Sequence, residues 1–309
     1  MCGICGFAPA DPQQSVGREL LTGMTEIVRH RGPDSDGFYT APGIGLGVRR
    51  LAINDLETGD QPISNEDGTI IVVCNGEIYN FVELREELIA DGHRLRTRSD
   101  VEVIVHLYED LGPECLQRLR GMFAFALWDG PRRRLMLARD RLGIKPLHYS
   151  LGPDGCIFGS ELKSILAADQ IERRLDLQAL RDVFSLGFVT GPKTLFTEIR
   201  RLPPAHYLLY EDGRAGQLRP YWRLPSPASD EDERRTSAQG WAERLREKLQ
   251  ESVRLHLRSD VPVGAWLSPG VDSSSIAALA SGHGSQPLQT FSLGFEDSSC
   301  DEVGQAPTG

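Results

Sequence analysis

Apolar residues in the first half of the chain alternate between a helical and a strand period. Leu20, Leu21, Met24, Ile27 and Val28 recur at spacings of three and four, which predicts an amphipathic helix within residues 17–30. Gly32 and Pro33 should stop it. A short strand follows at 43–48, with glycine at alternate positions so that another backbone can come close. Residues 69–74 are β-branched and long enough for a central strand. That run ends at Asn75-Gly76, a strong hairpin signal, so a type I′ turn is expected there. Phe81, Leu84, Leu88 and Ile89 mark a helix closed by Gly92. The next helix should open at Ser99-Asp-Val-Glu102, which has the form of a capping box, and close at Gly112. On that pattern alone, Asp100 is a first-turn acid favoured by the helix dipole. Apolar strands at 122–128 and 134–138 are joined across Gly130-Pro131, and residues 139–149 form a loop entering another strand, with a further one at 156–159. Strands with helices interspersed predict a layered α+β domain.

The pattern changes after Pro225. The run from Pro225 to Ser237 is polar, proline-containing and highly charged, as a linker is. Trp241, Leu245, Leu249, Val253 and Leu257 then recur every four residues, predicting one long amphipathic helix that Pro262 ends. Residues 263–267 read as a buried strand, 268–272 as a loop and 273–280 as a helix, with a further parallel strand at 288–293. Strand, glycine-containing loop and helix in that order can hold an anion on the helix amino end. The expected division is a first domain over 1–210, a linker over 211–237 and a second domain over 238–309.

Composition narrows the class. Hydrophobic content of 40% and charged content of 25% are those of a soluble globular protein. The net charge of −10 argues against nucleic acid or an anionic membrane surface as partner. No stretch reaches the ~18 apolar residues of a membrane span. Cysteines at 2, 5, 74, 115, 156 and 300 do not form a disulfide framework and suit a reducing cytoplasm. Cys2 and Cys5 form a Cys-x-x-Cys pair, but no second ligand pair accompanies it for zinc.

The candidate chemistry lies at the amino terminus. Removal of Met1 leaves Cys2 with a thiol and a free α-amine on one residue. Such an amine can serve as the nucleophile's own general base, directly or through a water. The bland alternative is a small buried hydrophobe in second position.

Five segments in order bear on the choice: Cys2-Gly-Ile-Cys-Gly6, His30-Arg-Gly-Pro-Asp34, Arg50-Leu-Ala-Ile53, Asn75-Gly-Glu-Ile-Tyr-Asn80 and Ser99-Asp-Val-Glu-Val103. Together they resemble the class II glutamine amidotransferases. Met122-Phe-Ala-Phe-Ala-Leu-Trp-Asp129 and Arg139-Asp-Arg-Leu-Gly-Ile-Lys-Pro-Leu147 narrow the resemblance to the glutamine-hydrolysing asparagine synthetases. That family implies a four-layer αββα N-terminal-nucleophile hydrolase sandwich, followed here by a partial α/β parallel-sheet nucleotide-binding domain. It also implies Cys2 as nucleophile, with the Asn75 side-chain amide and the Gly76 N–H holding the oxyanion. Arg50 matches the residue that pairs with the glutamine α-carboxylate, and Glu77 and Asp100 the sites near its ammonium. Leu51, Ala52, Ile53 and Asn54 complete the implied glutamine-binding set.

Leu267-Ser-Pro-Gly-Val-Asp-Ser-Ser274 is similar to the family's ATP-pyrophosphatase loop. The resemblance implies ATP with Mg2+ at Leu267, Ser268, Gly270, Asp272, Ser273, Ser274 and Leu293. Pro269 stands where the family carries glycine, and a proline removes one N–H donor. Family members run on well past a second domain of this length, so the chain is expected to be C-terminally truncated, with a fragment that exposes apolar faces. The implied activity is ATP-dependent amide transfer from glutamine to aspartate, in a cytoplasmic protein that forms a homodimer. Two alternatives stay open, an amidotransferase for another carboxylate and a glutaminase remnant that makes no amide.

Overall fold

The computed structural model describes residues 1–226, 236–283 and 287–295. The chain divides into two compact units, Met1–Leu224 and Pro225–Gly309. The first unit thus runs past the expected limit at residue 210.

In chain order the first unit contains β1 (Gly3–Pro9), α1 (Arg18–Glu26), β2 (Ser35–Ala41), β3 (Ile44–Arg50), β4 (Ile63–Ser64) and β5 (Ile70–Ile78). Then come α2 (Phe81–Ala90), α3 (Val103–Leu111), β6 (Gly121–Asp129), β7 (Arg134–Arg139), β8 (His148–Gly152) and β9 (Gly155–Gly159). The unit closes with α4 (Leu162–Ile165), α5 (Leu177–Leu186), β10 (Arg200–Arg201), β11 (His206–Glu211), β12 (Arg214–Ala215) and β13 (Arg219–Pro220). One sheet has the order β10-β8-β9-β1-β3-β2, and the other β12-β11-β7-β6-β5-β4, with β13 beside β11. All their pairings are antiparallel.

Strand alternation stacks the layers. Ile71 and Val73 of β5 face Ile4, Leu46 and Val48 of the other sheet and form the core between the sheets. Their neighbours Val72 and Cys74 face the opposite way, against Leu84 and Leu88 of α2 and Ile104 and Leu107 of α3. On the far side, Cys5 and Phe7 pack against Leu21 and Met24 of α1 and Ile165 of α4. The result is the expected four-layer αββα sandwich.

Several local expectations change. The helix expected over 17–30 ends at Glu26, and a 3-10 turn at Arg29–Arg31 carries the chain to Gly32. Asn75-Gly76 forms no hairpin: both residues lie inside β5, paired with Ala124 and Phe123 of β6. Nine residues of cross-strand pairing outweigh a two-residue turn preference. The capping box also fails to form. α3 begins at Val103, and Glu102 turns back to accept from the N–H groups of Arg96 and Thr97. Asp100 therefore precedes the helix. Cys2 and Cys5 part company, Cys2 at the candidate site and Cys5 in the outer core.

The second unit contains α6 (Ala238–His256), β14 (Gly264–Trp266), α7 (Val271–Ser281) and β15 (Gln289–Phe291). Ser237 caps α6 by accepting from Gly240 N–H. β14 and β15 pair in parallel, with Gly264 opposite Gln289. Trp266 of β14 and Phe291 of β15 are 70% and 52% exposed, so the apolar faces of this small sheet are open among the described residues.

Candidate active site

Cys2 enters β1 at the end of the core between the sheets. The Arg31 side chain of the His30–Asp34 segment holds it there: Arg31 Nε donates to Cys2 O at 2.9 Å, and the same guanidinium donates to Glu161 at 3.0 Å. Asp34 accepts from Ala52 N–H at 2.8 Å, and its N–H donates to Arg50 O. The segment thus fixes both Cys2 and the end of β3.

The Cys2 sulfur accepts from Leu51 N–H at 3.4 Å. Burial pushes the thiol up from its ordinary value, and that N–H and the chain-terminal charge only partly offset it. The resting sulfur is therefore a thiol that needs a base beside it. Met1 lines the same cavity, and its amine is pulled down from the usual value, chiefly by burial.

The edge of β5 supplies the other wall. Along a strand, backbone groups of residues two apart face the same side. Cys74 N–H donates to Gln61 Oε1 at 2.6 Å, Gln61 Nε2 donates back to Cys74 O, and Ile78 N–H donates to Asp100 Oδ2 at 2.7 Å. Gly76, midway between them, therefore points its N–H outward between Gln61 and Asp100. Glycine is required at 76 by packing: an added Cβ would stand well inside contact distance of Met122 O and Phe123 Cα of β6. Asn75 projects toward the space between the sheets and is fully buried, and neither atom of its side-chain amide finds a partner among the described residues. An amide left unsatisfied in a protein interior costs free energy unless a ligand completes it.

Arg50 is buried rather than solvated. Its guanidinium donates to Asp60 at 2.9 Å and to the carbonyls of Asn54 and Asp55 at 3.0 and 2.5 Å. Asp100 is almost fully enclosed, and burial, aided by Glu77 and opposed by the Ile78 N–H, pushes its carboxyl up to about 7.

One cavity brings together Cys2, Arg50, Leu51, Ile53, Asn54, Asn75, Gly76, Glu77 and Asp100. Of the expected glutamine-binding set, Ala52 alone does not line it. Lys145, Gln61, Gly59, Ser99 and Val101 do, and sequence reasoning did not single them out. Lys145 is buried, and desolvation pulls its ammonium below the usual value, with charge on Glu77 and Cys2 opposing. Its loop is shaped by Asp140, which accepts from the N–H groups of Leu142, Ile144 and Lys145. Its place within the Arg139–Leu147 segment, which carries the family resemblance, was the available signal. The arrangement presents a thiol, a side-chain amide and a backbone N–H, two cationic side chains and two carboxylates, a set suited to acyl transfer from an amino acid side chain.

A family model described as a glutamine amidotransferase domain matches residues 1–222, and one described as asparagine synthase matches 244–307. The chain belongs to the glutamine amidotransferases. Asparagine synthetase [glutamine-hydrolyzing] 1 of Bacillus subtilis is 40% identical over 308 residues, covering 98% of this chain and 47% of that protein. Asparagine synthetase [glutamine-hydrolyzing] 3 of the same organism is 38% identical, covering 96% and 48%. The chain spans about half the length of these curated relatives. Among solved structures, a glutamine phosphoribosylpyrophosphate amidotransferase from B. subtilis, complexed with ADP and GMP, is similar in fold: TM-score 0.51 at 16% identity, covering 96% of this chain and 67% of that one. The allosteric regulatory enzyme of purine biosynthesis gives 0.53 at 17%, covering 94% and 65%.

In the second unit, Leu267, Ser268, Ser273 and Leu293 of the expected nucleotide site line a separate cavity with Pro269. Gly270, Asp272 and Ser274 occupy the adjoining loop and first helical turn. Gly270 caps α7 with no side-chain hydrogen bond, so among the described residues the first N–H groups of the helix have no capping acceptor, as a phosphate site requires. The loop also bonds to itself: Ser268 and Ser273 hydroxyls lie 2.9 Å apart, and Gly270 N–H donates to Ser268 Oγ. No described helix is long and apolar enough to cross a membrane.

Proposed function

We propose that the first unit hydrolyses glutamine at Cys2 and that the chain is part of a glutamine-dependent asparagine synthetase. The Cys2 sulfur attacks the side-chain amide carbon of glutamine, and the thiol proton passes to the α-amine that Met1 removal uncovers. That amine returns the proton to the leaving nitrogen, so ammonia departs and a γ-glutamyl thioester remains. Water then splits the thioester. In both halves the oxyanion is held by the Asn75 amide and the Gly76 N–H. Arg50 receives the α-carboxylate, and Glu77 with Asp100 the α-ammonium. The observation that carries this reading is the Asn75 amide, wholly buried beside Cys2 and without a partner among the described residues.

The second unit is proposed to take ATP with Mg2+ at Leu267, Ser268, Gly270, Asp272, Ser273, Ser274 and Leu293. The uncapped start of α7 supports this, and ATP bound there would supply the activation of an aspartate carboxylate. The site of action is proposed to be the cytoplasm, where five buried free cysteines stay reduced.

The test is ammonia release from glutamine by the purified chain and by Cys2→Ala. The reading expects release by the first and none by the second. Equal rates would remove Cys2 from the chemistry.

A further inference from the structure

Behind the sheet of β5, away from the Cys2 cavity, three separate segments of the first unit bring nitrogen and oxygen ligands to one point. Glu66 lies in the turn between β4 and β5, His93 just past α2, and His106 and Glu109 one helical turn apart on α3. One ligand atom from each of the four lies within 4.8 Å of all the others. We propose that these residues bind a first-row divalent metal ion, of which zinc is the type.

Three observations carry this. His106 is fully buried, and neither of its ring nitrogens makes a hydrogen bond among the described residues. Its Nδ1 stands 3.2 Å from Glu66 Oε2, but without the alignment a hydrogen bond needs. An enclosed imidazole of this kind is what a missing ligand leaves behind.

The orientation of both rings is the second. His93 turns Nδ1 to Glu66 Oε1 at 3.2 Å and Nε2 to Asp110 Oδ2 at 3.1 Å. His106 likewise turns Nδ1 to Glu66 and Nε2 toward Glu102 Oε1 at 3.7 Å. Each ring therefore has one nitrogen at the cluster and a carboxylate behind the other. Metal-ligating histidines are held in the same manner, the outer carboxylate fixing the tautomer and raising ligand basicity.

Charge is the third. Glu66, Glu102, Glu109 and Asp110 surround two imidazoles, an excess of negative charge that a dication would balance. Two imidazoles and two carboxylates suit zinc better than calcium or magnesium, which prefer all-oxygen sets. Tetrahedral zinc with bonds near 2.0–2.1 Å separates its ligands by roughly 3.3 Å, so the four atoms need to draw together by at most about 1.5 Å. Glu109 is at the surface and gives the ion a way in. Four protein ligands would leave no open position, which makes the ion structural, a pin between the β4–β5 turn, the α2–α3 connection and α3.

The experiment is equilibrium dialysis of the full chain against zinc, with thermal melts alongside, for the unaltered protein, Cys2→Ala, His93→Gln and Glu109→Gln. The unaltered protein and Cys2→Ala are expected to hold one equivalent and to melt higher as free zinc rises. Both ligand variants, changed at half-buried or exposed side chains, should fold, bind zinc at least about tenfold more weakly and lose the zinc-dependent rise in Tm. X-ray absorption at the zinc edge should show nitrogen and oxygen neighbours. Failure of the unaltered chain to bind zinc, equal binding by the ligand variants, or sulfur neighbours at the metal would each overturn the proposal.

Discussion

Asn75 and Asp100 are costly to keep in the form observed, and each cost bears on the proposed glutamine site. The Asn75 amide is buried with nothing to bond among the described residues, so truncating it should do little to folding and, on the proposed reading, much to turnover. Asn75→Ala is expected to lower kcat for ammonia release by about 10²–10³ with a small change in KM, the loss typical of one oxyanion donor. Steady-state kinetics of the variant checks this. Asp100 titrates near 7 in the folded protein against about 3.9 in an unfolded chain. Between those values the folded state holds the proton more tightly, so the stability Asp100 contributes below pH ~4 is lost as pH rises through 7. Asp100→Asn, which keeps an oxygen for the Ile78 N–H, is therefore expected to raise Tm at pH 8 and leave it little changed at pH 4. Binding runs the other way. The glutamine ammonium favours the carboxylate, so kcat/KM should fall as pH drops below 7, and Asp100→Asn should flatten that limb while weakening binding. A pH series of kcat/KM on both proteins decides it.

β5 is the element on which the site depends, and it is also where the sequence was hardest to read. Asn75-Gly76 carries a strong turn preference, yet it lies within a nine-residue strand whose register with β6 is set by apolar residues on both faces. Local preference lost to tertiary pairing. The same happened at Ser99–Glu102, where Glu102 caps the incoming loop rather than α3. By contrast, the helix stripe at Leu84 and Leu88, the β6–β7 hairpin and the parallel β14–β15 pair were legible, because their periodicity matches what packs on them. Lys145 and Gln61 were not, since a lysine in a loop and a glutamine in a turn-rich stretch show no period; only the fold brings them to Cys2. Gly76→Ala should separate β5 from β6 and destabilise the fold by about 1–3 kcal/mol, as overpacking does, a loss that urea unfolding would measure. In the second unit, Pro269 lacks an N–H and Gly270 spends its own on Ser268. Pro269→Gly is expected to tighten MgATP binding by isothermal titration; unchanged heats would remove the loop from nucleotide binding.

Across the whole molecule the two units differ in completeness of packing. The first closes three cores using residues no later than Trp222, and both walls of the Cys2 cavity, β1 with β3 and the edge of β5, come from within it. A chain ending at Leu224 should therefore unfold cooperatively and still release ammonia from glutamine, as calorimetry and an ammonia assay would show. Among its described residues the second unit offers two helices and a two-stranded parallel sheet with open apolar faces, so the strand expected to be buried at 263–267 is instead exposed, with Trp266 at 70%. The four-layer sandwich and the glutamine site thus form one proposition: the folded chain delivers a terminal sulfur to a prepared amide hole. It is tested most directly by treating the protein with a glutamine analogue bearing an electrophilic ketone and weighing its amino-terminal peptide. The peptide should begin at Cys2 and carry the analogue on that sulfur; a peptide that still begins with Met1, or a label found elsewhere, would contradict it.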